Sequence, residues 1–207
     1  MRRAITMLRT DERGGVLVEA TVMLVIMFVF VLGSIDFLMA LYQWNAATKA
    51  VQLGGRIASV SSPVSSDLSA LTGLEGGADP GVDPFPYFIR TCNGLTASCS
   101  GGTFSQPALD TIVLGRPAAA CASPSVYCTG MREVFPRVQP ANVVITYEQT
   151  GLGYAGRPGG AVPTITVSLQ NLPFQFFFLG GLMGFGNINI PVMTTTTGED
   201  LNSNAPT

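Results

Sequence analysis

Histidine is absent from this chain of 207 residues, and lysine occurs once, at Lys49. Histidine is the commonest general base and the commonest metal ligand in proteins, so its absence argues against most acid–base and metal-dependent enzymes. The formal net charge is −2, and the sequence has no cluster of Lys and Arg side chains of the kind that binds the phosphate backbone of a nucleic acid. The sequence therefore predicts no catalytic residue, no metal, no cofactor and no nucleic-acid partner.

One stretch has the spacing of a nucleotide-binding motif but lacks the flanking residues that such a motif requires. The stretch GLGYAG, from Gly151 to Gly156, has the spacing of a dinucleotide-binding fingerprint. That fingerprint needs a helix opening at its third glycine and an acidic residue about 20 positions later. Here RPGGAVP follows, and residues 171–176 contain no carboxylate. We interpret GLGYAG as a glycine-rich hairpin loop.

Charged residues are scarce, at 12% of the chain, whereas glycine and proline number 24 and 14. This composition is typical of a loop-rich, exported domain that contains β-structure. The cysteines form two equally spaced pairs without a C-x-x-C motif, which favours disulfides of an oxidising compartment over a zinc site. Three pairings are possible, and four buried thiols are the alternative. The short Gly-, Ser- and Pro-containing loops favour Cys92–Cys99 and Cys121–Cys128.

A long hydrophobic run follows a basic leader. The first 13 residues contain four arginines, and residues 16–35 then supply about 20 residues, enough to cross a hydrocarbon core of about 30 Å as a helix. A cleaved signal peptide has an apolar core of only about 7–15 residues, whereas this run continues to Tyr42 and Trp44. We expect a single-pass membrane anchor with its N-terminus in the cytoplasm, as the positive-inside rule predicts.

The helix is expected to continue beyond the membrane. The stretch QWNAATKAVQLGGRIASV has one face of small and apolar residues at helical spacing, which predicts one helix from about Gly15 to about Ser59. The residues of this face are Ala47, Ala50, Val51, Gly54, Ile57 and Ala58. The face is expected to pack either against the protein's own domain or against a neighbouring protein. The predicted segments are a cytoplasmic leader (1–14), a transmembrane helix (15–36), its amphipathic extension (37–60), a Gly/Ser/Pro-rich loop region (61–140), a small β-sheet (141–198) and a tail (199–207).

Three stretches in the second half carry strand signals. They are NVVITYE (142–148), VPTITVSLQ (162–170) and NINIPVMTTTT (187–197). In the last two of them apolar residues alternate with polar ones, which is typical of strands with one buried face. The predicted fold is therefore α+β, with a long helix packed on a small antiparallel sheet. Between the last two stretches, FQFFFLGGLMGFG is too short for a second crossing. We interpret it as a strand end and loop on the domain or near the membrane surface, with an assembly contact as the alternative.

Two carboxylates lie on the predicted long helix. An ionisable side chain at the centre of a membrane helix costs about 2.5–3.5 kcal/mol, and less near the interface, so Glu19 is a candidate functional residue. The alternative is that Glu19 only extends its carboxylate to the cytoplasmic interface. Asp36 lies about 30 Å along the helix, at the outer edge of the span. It is either a solvated interface residue or part of a specific contact.

The N-terminal motif RGGVLVE resembles a prepilin-type signal, in which a peptidase cuts after a glycine and a glutamate follows at the fifth position beyond it. More narrowly, residues 12–60 resemble the TadE-like family of tight-adherence (Tad) pilus assembly proteins. The matching pieces are Arg13–Gly14, Val18–Glu19, Asp36–Phe37, Trp44–Asn45–Ala46 and Gly55–Arg56.

The resemblance implies a pilin-like fold and a structural rather than enzymatic role, as a minor pilin or pseudopilin of a Tad-type (Flp) pilus in assembly, adhesion or secretion. Residues 1–14 would be a prepilin-type leader cut after Gly14, with a cut after Gly15 as the alternative. The new amine would meet Glu19 of a neighbouring subunit, and Asp36 and Phe37 would be further assembly residues.

The partners that the resemblance implies are a prepilin peptidase, other pilins or pseudopilins, the Tad assembly platform and the bacterial inner membrane. The C-terminal domain would lie in the periplasm or in the extracellular pilus. Two alternatives remain open from the sequence. One is a membrane-anchored periplasmic enzyme or ligand-binding domain, and the other is a pseudopilin of a type II secretion or type IV pilus system.

Overall fold

The structure, a computed structural model, describes residues 12–116, 128–184, 188–198 and 201. The chain divides into two compact units. The first comprises Met1–Tyr42 and Gln175–Asn187, and the second comprises Gln43–Phe174 and Ile188–Thr207. One helix, α1, begins at Glu12, ends at Ser59 and contributes residues to both units, which confirms the predicted long helix.

The remaining elements of the described chain are short. The helices are α2 (Gln106–Leu114), α3 (Met131–Val134) and α4 (Leu179–Met183), and the strands are β1 (Ile89–Asn93), β2 (Ser98–Cys99), β3 (Val143–Glu148), β4 (Thr164–Leu169) and β5 (Met193–Thr197). Single 3-10 turns occur at Ser66–Ala70 and Pro140–Asn142. The loop-rich region 61–140 thus also contains strands β1 and β2 and helices α2 and α3, which the sequence pattern did not predict.

The five strands form one antiparallel sheet in the order β2-β1-β3-β4-β5. The strand predicted at 142–148 is confirmed as β3, in which Val143, Ile145 and Tyr147 are buried and alternate with partly exposed residues. The last strand starts later than the alternation in 187–197 indicated. Pro191 explains the difference, because proline has no N–H to donate to a strand ladder.

The outer part of α1 belongs to the core of the second unit. Ala47, Ala50 and Val51 are fully buried in the same cluster as the inner face of the sheet. Gly55 allows a close approach to β5, since a Cβ atom there would lie 2.9 Å from the Thr194 Cγ2 atom. The predicted small-residue face is therefore buried within the protein's own domain, with Ile57 only partly buried at its edge.

Two polar contacts fix the segment that follows α1 to the sheet. The Val64 N–H donates a 3.0 Å hydrogen bond to the Tyr147 hydroxyl, and burial raises the pKa of Tyr147. Asp67 forms a 3.2 Å ion pair with Arg90. Partial burial disfavours the charged form of Asp67, but hydrogen bonds from Ser65 and Arg90 outweigh it and lower the Asp67 pKa.

The predicted disulfide between Cys92 and Cys99 is confirmed. These residues are directly paired between β1 and β2, so the bond closes the short hairpin at the edge of the sheet. Cys128 is also disulfide-bonded. Its predicted partner, Cys121, lies outside the described residues.

Replacing Gly55 with valine tests the close packing of α1 on the sheet. We expect Gly55→Val to lower the free energy of unfolding by about 1–3 kcal/mol, because the added side chain would overlap Thr194. Gln52→Val is the matched control, since Gln52 is exposed on the same helix, and its effect should stay within about 0.5 kcal/mol. Urea unfolding in detergent, followed by circular dichroism, measures the stability of both variants. Equal stabilities of Gly55→Val and Gln52→Val would contradict the close packing of α1 on β5.

Candidate functional site

The first half of α1 is apolar around its whole circumference. Its large side chains from Val16 to Val31 are exposed, and the helix is long and apolar enough to cross a membrane. This surface suits lipid or the helices of neighbouring proteins, because no water-facing stripe of polar residues is present between Val22 and Val31. The helix therefore fits a single-pass membrane anchor.

The hydroxyl groups in this apolar part are satisfied within the helix. Thr21 Oγ1 donates to the carbonyl oxygens of Val18 at 2.8 Å and Leu17 at 3.1 Å, and Ser34 Oγ donates to the Phe30 carbonyl at 2.8 Å. Glu19 differs from them. Within the part of the chain that the structure describes, its exposed carboxylate has no hydrogen-bond or ion-pair partner. Glu19 is thus a polar group in the apolar part of α1 that the described residues do not bond.

The predicted cleavage positions lie at the start of the same helix. Gly14 and Gly15 belong to the first turns of α1, and no heavy atom lies within 4 Å of a Cβ built on Gly15. Glu19 follows Gly15 by four residues, which is about 6 Å along the axis and on the same helix face. An amine created at Gly15 and the Glu19 carboxylate would therefore be presented on one side of α1.

Asp36 has a specific role within the first unit. It is fully buried, and its carboxylate accepts three backbone hydrogen bonds from the residues that begin α4. Oδ1 accepts from the Phe177 N–H at 2.9 Å, and Oδ2 accepts from the N–H groups of Phe178 at 2.8 Å and Leu179 at 2.6 Å. The first N–H groups of a helix have no partner inside it, so Asp36 acts as their cap from a distant part of the chain.

The neighbouring Phe37 points to another environment, with 63% of its side chain exposed. Asp36 and Phe37, which were predicted together as assembly residues, therefore have different surroundings. Sequence reasoning identified Asp36 but not its partner, which is more than 140 residues away. Two sequence features could have indicated this partner: the apolar stretch FQFFFLGG and the absence of any charged residue from 158 to 198.

The motif residue Arg56 lies in the second unit, at a cavity of about 690 Å³ near the end of α1. The cavity is lined by Arg56, Ile57, Ser59, Val60, Ser61, Thr111, Arg116, Thr129 and Thr196. Arg116 donates a 2.9 Å hydrogen bond to the Ser61 hydroxyl. The lining holds two guanidinium groups and five hydroxyl groups, which is chemistry suited to an oxyanion.

Metal ligation has no candidate site in the described ranges, where no group of three or more His, Cys, Asp or Glu residues could hold an ion. The chemistry of the site therefore rests on carboxylates and backbone groups. Glu19 offers an unpaired acceptor in an apolar surface, and Asp36 joins two apolar segments of one unit.

Removing the Asp36 carboxylate tests its capping role. Asp36→Ala would leave three N–H groups without their acceptor, and a buried unpaired N–H costs about 1–3 kcal/mol. We expect the amides of residues 177–179 to exchange hydrogen at least tenfold faster, measured by hydrogen–deuterium exchange in detergent. Ser34→Ala is the matched control on the same helix, because Ser34 bonds only to its own turn. Unchanged exchange in Asp36→Ala would contradict the cap.

Comparison with known families identifies a similarity in the N-terminal part of the chain. A family model described as TadE-like protein matches residues 14–56. No curated protein and no solved structure matches the chain. The matched residues run from the glycine of the predicted cleavage site to the arginine at the cavity, and they include Glu19 and Asp36. Residues 14–56 are therefore similar to TadE-like proteins, and the N-terminal helix is the part of the chain that carries this similarity.

Proposed function

We propose that this protein is a minor pilin or pseudopilin of a Tad-type pilus, held in the bacterial inner membrane before assembly. Its leader would lie in the cytoplasm, and a prepilin peptidase would cut after Gly14. The remaining chain would start at Gly15 and keep α1 as its anchor. The C-terminal domain would lie in the periplasm and later at or in the fibre, where the protein acts in assembly, adhesion or secretion.

The unpaired carboxylate of Glu19 is the observation that carries this proposal. A lone carboxylate in lipid is costly, and an ammonium group of a neighbouring subunit would neutralise it. Only one axial register brings the Gly15 amine of one chain to Glu19 of the next. Glu19 would therefore both attract the neighbouring pilus subunit and set the register of the two helices.

The exposed apolar surface of α1 supports the same role. Side chains from Val16 to Val31 face outward and would pack against the helices of other pilins or of the assembly platform once they leave lipid. Helix association in membranes depends on packing and on polar contacts, because lipid supplies no hydrophobic driving force. In this arrangement the neighbouring helices provide packing, and Glu19 provides the polar contact.

A membrane-anchored enzyme or ligand-binding domain is the alternative from another class. The Arg56 cavity is where such a domain would bind an anionic ligand. Among the described residues that line it, none is a carboxylate or another group suited to act as a general base. We therefore propose a structural protein and assign it no catalytic step.

Sequencing the mature N-terminus tests the processing step. In cells that contain the prepilin peptidase we expect the protein to start at Gly15, and in cells that lack it we expect an uncut leader. A start at residue 16 would move the cut to Gly15 and leave the processing step intact. An uncut leader in both strains, or a start near residue 45, would overturn the proposal.

Substituting Glu19 tests the pairing between subunits. Glu19→Ala should still insert in the membrane, since it makes the span more apolar, but its co-purification with partner pilins should fall at least tenfold. A tenfold loss corresponds to about 1.4 kcal/mol, which is below the 3–5 kcal/mol typical of a broken buried ion pair. Thr21→Val is the control, because the Thr21 hydroxyl is already satisfied within the helix. Normal assembly of Glu19→Ala would show that Glu19 only extends to the interface.

A further inference from the structure

We propose that the apolar segment from Gln175 to Gly181 lies in the membrane interface, with Phe177 and Phe178 in contact with lipid, and that Asp36 holds it there. This inference concerns the first unit alone. It depends on the membrane span of α1 but not on cleavage or on pilus assembly.

The position of Asp36 along α1 is the first support. Twenty residues separate Val16 from Asp36, and at about 1.5 Å per residue they span about 30 Å, the thickness of a hydrocarbon core. Asp36 therefore lies where the hydrocarbon ends and the headgroup region begins. The segment that it binds is held at the same depth.

The hydrogen bonding of the segment is the second support. Backbone N–H groups at membrane depth must be satisfied by the protein, since water is scarce there. Phe177, Phe178 and Leu179 direct their N–H groups to one buried carboxylate. Because these three groups are paired, the start of α4 can enter a water-poor environment at a lower desolvation cost.

The exposed side chains of the first unit favour lipid as the partner that contacts Phe177 and Phe178. Phe177 is 68% exposed and Phe178 is 44% exposed, although both belong to a unit whose other exposed surface is the membrane span. On α1, Phe37 and Leu38 are similarly exposed next to Asp36. Phenylalanine and leucine are side chains that interfacial segments insert among headgroups and acyl chains. Exposed apolar side chains thus occur both on α1 beside Asp36 and on the segment that Asp36 binds.

The charge distribution favours lipid over a protein partner. After Glu19, the only charged residue of the described part of this unit is Asp36, and its carboxylate is already bonded to the three N–H groups. Protein interfaces normally carry a polar rim around their apolar centre. Phe177 and Phe178 have no such charged rim within the described part of their own unit.

Tryptophan fluorescence in vesicles tests the proposal. The full chain carries Trp44→Phe and Phe177→Trp, and is reconstituted into phosphatidylcholine–phosphatidylglycerol vesicles with or without brominated acyl chains. We expect bromine to quench at least half of the indole emission from position 177. Tyr87→Trp in the same Trp44→Phe background is the matched control, since Tyr87 has the same exposure of 68% but belongs to the second unit. Quenching of the indole at position 87 measures the background that arises when the second unit lies close to the vesicle by chance.

Two further variants separate the outcomes. Phe28→Trp reports whether the span is inserted, so quenching of the indole at position 28 without quenching of the indole at position 177 overturns the proposal. Adding Asp36→Ala to Phe177→Trp should reduce its quenching at least twofold, and unchanged quenching would overturn the role of Asp36.

Photocrosslinking identifies what the segment touches. A benzophenone side chain at position 177 should form lipid adducts in the same vesicles. A cross-link to a second copy or to another protein instead would overturn lipid as the occupant. The vesicles contain neither peptidase nor other pilus proteins, so the result is independent of the proposed assembly role.

Discussion

Three backbone N–H groups and one carboxylate, that of Asp36, organise the first unit of this protein. Most other side chains in the described part of the unit are apolar and make no directional contacts. A charged acceptor with three donors is directional, and it binds α1 to a segment that follows more than 140 residues later in the chain. The chain thus leaves α1, builds most of the second unit and returns to the same carboxylate with residues 177–179.

Helix α1 meets different surroundings along its 48 residues, and its side chains change accordingly. From Val22 to Val31 it is apolar on every side, as lipid or neighbouring helices require. From Ala47 to Ala58 only one face is buried, and that face consists of small residues. Small side chains allow the helix backbone to approach the sheet closely, as Gly55 does at Thr194. One continuous helix therefore fits a membrane anchor in its first part and belongs to the core of the second unit in its last part.

The sequence predicted these features to different extents. The helix and the strands β3 and β4 have long, regular patterns, and their positions are confirmed. The strands β1 and β2 were missed because Ile89–Asn93 contains both charged and polar residues, and the hairpin is held by the Cys92–Cys99 disulfide rather than by an apolar pattern. The short helix at Leu179–Met183 lies in a glycine-containing stretch of low helical preference, so its first turn depends on Asp36.

The sequence by itself determined that this chain has one apolar span, a carboxylate at its start and another at its end. Hydrophobicity and charge are properties of individual residues, so they can be recognised without knowing the fold. The tertiary structure decided what each carboxylate does. Asp36 is bonded to N–H groups that are remote in sequence, whereas Glu19 has no partner among the described residues. Only folding brings distant backbone donors to a side chain, and no local pattern encodes which of two similar carboxylates will meet them.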